Sequence, residues 1–207
     1  MTGKQLLPLS GVASVLLIVA SFIVVGEPPD LNASVDEVVS FYTENDSSLQ
    51  WGAALLALGA FFFMLFATTI ASLLRRDPAR GAIAAHFSFA GGILFAVGAT
   101  IFAGLSFTAG DAVDDVGPAT LQTLHVLEMD MFFTLAVGAS AFLLGTGVGA
   151  LKAGVLPSWL AWAAIVIGVV AFTPAGFIAF MALGIWTLIV SIMLAMRARV
   201  APAPGVD

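Results

Sequence analysis

With no cysteine, two histidines and seven lysines and arginines in 207 residues, the sequence holds few groups able to do chemistry. The densest set is His125, Glu128 and Asp130, with Thr134 one turn further on. A histidine and a carboxylate three residues apart sit about 60° apart around a helix, on one face, as a general acid and base would. Asp130 falls about 160° from Glu128, so these two carboxylates do not converge and a hydrolytic pair built on this helix alone is excluded. Asp130, Thr134, Ala141 and Gly145 share a stripe of small and polar residues that runs into Gly145-Thr146-Gly147-Val148-Gly149. Such stripes let helices approach closely. The stripe predicts that Asp130 points into a helical bundle, where an acid is costly and therefore a functional candidate. Ser21, Ser106 and Thr108 are its candidate hydrogen-bond donors. His125 and Glu128 continue through Phe132, Leu135 and Ala139, a face expected to lie outward at headgroup level. Ligand binding or proton coupling is thus assigned as a hypothesis to Asp130 and Thr134 first, with His125 and Glu128 beside them.

The other histidine, His86, falls roughly 20 Å from His125 along the helix axes, given the rise per residue, so one haem cannot be ligated by both within a chain. A zinc site built on histidines fails on their number. No phosphate loop, nucleophile elbow or metal signature occurs. No catalytic residue, metal or cofactor is expected.

The elements that position these residues follow from composition. The chain is 60% hydrophobic and 10% charged, with a mean hydropathy of +1.08. Soluble domains run near 45–50% apolar and about 25% charged, so this is expected to be an integral membrane protein. A net charge of −6 excludes nucleic acid as a partner. The expected partners are the lipid bilayer and other membrane proteins or a second copy of the chain.

Uncharged runs predict an all-α, polytopic bundle of six transmembrane helices in a single domain over 1–207, with spans at about 6–26, 49–74, 81–108, 118–151, 157–172 and 175–196. The run from Ala153 to Met196 would reach about 66 Å as one helix, so Pro174 is read as dividing it into a hairpin. Five spans with one segment half-inserted is the alternative. The first run is read as a retained helix, because Val24-Val25-Gly26-Glu27-Pro28 makes a poor signal-peptide cleavage site. Six spans place Lys4, Arg75, Arg76, Arg80, Lys152, Arg197 and Arg199 on one side. By the positive-inside rule that side is cytoplasmic, with both termini there, in the plasma membrane. Glu27, Asp30, Asp36, Glu37, Glu44, Asp46, Asp111, Asp114 and Asp115 then fall outside. Trp51 marks the outer interface, and Trp159 and Trp162 the inner one.

Between the first two spans, Ser34-Val35-Asp36-Glu37 is a capping box. Val35, Val38, Val39 and Tyr42 follow at helical spacing, which predicts a short amphipathic outer helix at about 35–44. It is either a plain cover for helix ends or a functional lid.

This arrangement resembles a broad group of six-helix bacterial membrane proteins of the actinobacterial type, a group without an established activity. The likeness rests on the Pro-rich exit of the first span and on Ala33, Ser34, Glu37, Val38, Phe41 and Tyr42. It also rests on Arg75-Arg76 and on Leu156-Pro157-Ser158-Trp159-Leu160. It implies a fold and no chemistry. Three functions stay open, in descending order. The first is a non-catalytic subunit, partner or lipid-organising component of a membrane assembly. The second is a binder or transporter of a small apolar or weakly polar molecule, with an outward-facing pocket near Asp130. The third is a membrane enzyme using His125 and Glu128 at the outer surface. The enzyme ranks last.

Overall fold

The computed structural model describes residues 7–200, with backbone alone at 78–80 and 199–200. Lys4 lies outside the described residues, and the side chains of Arg80 and Arg199 are likewise not described. A 3-10 turn at Leu7–Leu9 leads into α1 (Ser10–Val25). Then come α2 (Val35–Glu44), α3 (Asp46–Leu74), α4 (Pro78–Asp111), α5 (Pro118–Asp130), α6 (Phe132–Ala153), α7 (Ser158–Val170) and α8 (Gly176–Val200). No strand occurs among the described residues.

Five helical stretches are long and apolar enough to cross a membrane: Leu7–Val25, Asp46–Leu74, Gly81–Asp111, Pro118–Ala153 and Gly176–Ala198. The chain is a multi-pass membrane protein by this measure. Ser158–Val170 is shorter, 13 residues, or about 20 Å of helix, so it does not reach the six-span expectation by length alone. The interruptions have local causes. Proline opens α4 and α5, where its missing N–H is no loss. Pro174 falls between α7 and α8, where it cannot continue a helix. Between α5 and α6 the chain makes a one-residue turn. There the Met131 N–H is shared by the carbonyls of Leu127 and Glu128, at 3.1 and 3.2 Å.

The main core is aromatic. Phe63 packs on Phe95 at a ring-centroid distance of 4.5 Å and on Phe142 at 5.1 Å. Trp186 closes against Phe142 at 6.1 Å. Pairs of this kind add about 0.5–1.5 kcal/mol each beyond burial. The Trp186 indole N–H donates to the Leu160 carbonyl at 2.9 Å, which ties α8 to α7.

Beside this core, α4 and α6 meet backbone to backbone. A Cβ on Gly138 would lie 2.3 Å from the Phe95 nitrogen, and one on Gly145 would lie 2.5 Å from the Ser88 nitrogen. Only glycine fits there. Ser88 and Thr146 share a hydrogen bond of 2.8 Å across the same seam.

Charge is segregated along the bundle axis. Arg75 and Arg76 follow α3, Lys152 sits in the last turn of α6, and Arg197 lies near the end of α8. The Arg197 guanidinium donates to the Val155 carbonyl at 3.0 Å, which ties the end of α8 to the chain just after α6. At the opposite end, Asp111 closes α4 and Asp46 opens α3. α2 packs over this acidic end.

Candidate functional site

The short helix forms where the capping box predicts it. The Ser34 hydroxyl accepts from the Glu37 N–H at 3.3 Å, and the helix runs over Val35–Glu44. Its apolar face buries Val38 and Tyr42, each 1% exposed, against Leu49 of α3 and Ala109 of α4. This small cluster is separate from the aromatic core.

Tyr42 carries the geometry that matters. Its hydroxyl donates to Glu128 Oε2 at 2.9 Å and lies 3.2 Å from His125 Nδ1. A phenol has one proton to give. With that proton on Glu128, the second contact requires His125 to donate its Nδ1–H to the phenol oxygen. Ser106 of α4 donates to the other carboxylate oxygen, Oε1. Both Glu128 oxygens therefore accept from hydroxyls, which is how a buried acid is made tolerable. His125 is 1% exposed and Glu128 5%. Burial, then the Glu128 charge and hydrogen bond, push the Tyr42 phenol above its ordinary pKa. His125 Nε2 is buried without a partner.

The two faces of α5 are thus the reverse of those predicted from the small-residue stripe. His125 and Glu128 are interior, and Asp130 is exposed. Thr134 is half-buried, and its methyl lies toward Gly98 of α4. The reason is steric. Glycines mark the line of closest approach to α4, while the larger core side chains stand beside that line. Glu128 falls within about 40° of Leu135, Ala139, Phe142 and Thr146 around the helix, and all four are buried.

The donors proposed for Asp130 also go elsewhere. Ser106 serves Glu128, Ser21 donates to the Gly52 carbonyl, and Thr108 to the Gly104 carbonyl. His86 is exposed, near the arginine-bearing end. A depression of about 580 Å³ at the start of α2 is lined by Asp30, Leu31, Asn32, Ala33 and Glu37, and not by Asp130 or Thr134. Sequence reasoning found His125 and Glu128 but missed Tyr42 and Ser106 as their partners. The signal was available in part, because Tyr42 is the single tyrosine and lies one turn beyond Val38 on the apolar face of α2.

Comparison with known families, curated proteins and solved structures gives no match to the chain.

Proposed function

We propose that the chain is a six-crossing plasma-membrane protein with both termini cytoplasmic. In this reading it acts as a non-catalytic component of a membrane assembly, with its outer end held closed by α2. The observation that carries this is the use of the reactive side chains. His125, Glu128 and Ser106 are spent on one another and on Tyr42, each 5% exposed or less. They fasten α2 to the bundle. An enzyme working at the outer surface needs them free to meet substrate.

Six crossings are supported by where the α7–α8 hairpin begins and ends. Val155, ahead of α7, meets Arg197 near the end of α8. At the far end, Phe180 in the first turns of α8 packs at a tilt on Phe132 at the start of α6, 4.7 Å between centroids. So the segment between α6 and α8 returns along the full length of α6, which is 22 residues, or about 33 Å. The non-helical residues 154–157 and 171–175 on either side of α7 make up the rest of that path. The charge segregation and the six-helix resemblance agree with this count.

The seams and the apolar outer faces suit assembly within a bilayer. Trp159, Trp162 and Val166 on α7 and Ile178, Ile185 and Met196 on α8 are more than half exposed, ready for lipid or a neighbouring protein. Native mass spectrometry of gently extracted protein tests the reading. A multiple of the chain mass, or a second membrane protein at fixed ratio, is expected. A monomer with no second protein under any gentle extraction would overturn it.

A further inference from the structure

We propose that the floor beneath Tyr42 is a receptor for a hydroxyl group on an aromatic ring. α2 fills this receptor with its own tyrosine, and a phenol or hydroquinone competes for it. The inference rests on the reading of α2 as a docked cover and names the ligand class of the site it covers.

Three observations carry it. First, the floor belongs entirely to the bundle. Glu128 and His125 come from α5 and Ser106 from α4. The Ser106 hydroxyl holds the other carboxylate oxygen from within the bundle, so this contact does not draw on α2. The walls are likewise bundle residues and their flanks: Leu49, Ala109, Val25 and Val113. Apolar walls over a few convergent polar groups are the anatomy of a small-molecule site.

Second, the floor reads a hydroxyl in both its roles. Glu128 Oε2 accepts its proton at 2.9 Å, and His125 Nδ1 at 3.2 Å is placed to donate to its oxygen. An alkyl ligand satisfies neither, and an ether can accept from His125 but has no proton for Glu128; unmet buried polar groups are what makes such sites selective.

Third, the floor has capacity that Tyr42 leaves unused. His125 Nε2 is buried, on a residue 1% exposed, with no partner. A water carried in with the ligand has a place to bond there.

The occupant, by contrast, is a short helix set off from α3 by Asn45 alone. α2 is ten residues long and is joined to α1 by the irregular chain 26–34. Helices this short are marginal without packing, so its position depends on Val38 and Tyr42. A ligand that binds only the uncovered floor shifts the balance toward lifted α2 by its own binding free energy.

The test uses the absence of native cysteine. Val38→Cys places a single thiol under α2, at a site 1% exposed. Maleimide labelling of this full-length variant in nanodiscs then reports lifting of α2. The probes are a decyl-substituted hydroquinone, its dimethyl ether, and p-cresol from the aqueous phase.

Labelling is expected to be slow without ligand. The hydroquinone should speed it about tenfold at ten times its dissociation constant for the uncovered site, and the ether should leave it unchanged. A response to p-cresol as well assigns the shared phenol chemistry to water-soluble ligands, and a response to the decyl compound alone assigns it to membrane-borne ones. Unchanged labelling with every hydroxyl probe overturns the inference and leaves the docked cover intact. Equal acceleration by the ether also overturns it, as bilayer perturbation. Fast labelling with no ligand, with residues 35–44 of the unsubstituted chain also unprotected in hydrogen exchange, overturns the docked cover itself. Tyr42→Ala supplies a second readout: p-cresol should raise its melting temperature and toluene should not. Equal effects of the two would contradict recognition of the hydroxyl.

Discussion

The aromatic core and the α2-covered end are both buried, yet they are held by different physics. Around Phe63, Phe66, Phe95, Phe142 and Trp186, area and ring packing do the work, and every helix involved is anchored along its length. Under α2, the apolar cluster is only Val38, Tyr42, Leu49 and Ala109 with a few flanking residues. Four hydrogen-bonding side chains supply what that area cannot. The first region makes the bundle; the second makes one short helix conditional on a polar contact. A membrane protein can thus carry a stable scaffold and a separable cover in the same chain.

The sharpest way to break the comparison is Phe142→Ala. It should cost about 3–5 kcal/mol, or abolish accumulation of folded protein, because the void lies where four aromatic rings meet. Thermal unfolding in detergent reads this, and a loss under 1 kcal/mol would deny the core its role.

Glu128→Leu comes next. It leaves the Ser106 hydroxyl buried without its carboxylate and Tyr42 with His125 alone, at about 1–3 kcal/mol for each lost partner. This loss should show as lifting of α2, by hydrogen exchange over residues 35–44, before it shows in the global melting temperature. Tyr42→Phe keeps the ring and removes the hydroxyl, and should loosen the same helix by about 1.5–3 kcal/mol, the worth of a bond to a charged group. Ser34→Ala is the mildest, about 1 kcal/mol of helix stability from the lost cap, read as faster exchange in the first turn of α2 alone. If Tyr42→Phe and Phe142→Ala moved the same transition by the same mechanism, the two regions would be one cooperative unit.

How far these regions were legible in the sequence differs in the same way. The cover was readable because its signals are local. The Ser34-to-Glu37 box and the Val38–Tyr42 spacing specify Val35–Glu44 without reference to anything else. The helix ends at Leu74 and around Pro174 were readable from charge and proline. The face of α5 was not. Its small-residue stripe reads as the interior. Glycine, however, reports where two backbones touch and not where the core is thickest. Nor could spacing reveal that Tyr42, 86 residues away, meets Glu128. That contact depends on how α2 folds back over α4 and α5, which is tertiary information. The helix predicted at 157–172 forms at Ser158–Val170, but its 13 residues are fewer than a crossing helix needs, so length alone does not make it a sixth span.

The single tyrosine allows the claim that α2 is docked to be tested most directly, by following phenolate absorbance as pH is raised. The folded pKa of Tyr42 is raised, by burial and then by the Glu128 charge. Its contribution to stability is therefore full below the unfolded value of about 10 and is lost as pH climbs toward the folded value. Docking predicts no pH dependence from this group between about pH 5 and pH 9. It also predicts that phenolate stays absent past the ordinary tyrosine range, until it appears together with lifting of α2. A reversible titration centred near 10, with residues 35–44 still protected, would mean that Tyr42 is not held against Glu128 and His125, and would contradict the docked cover.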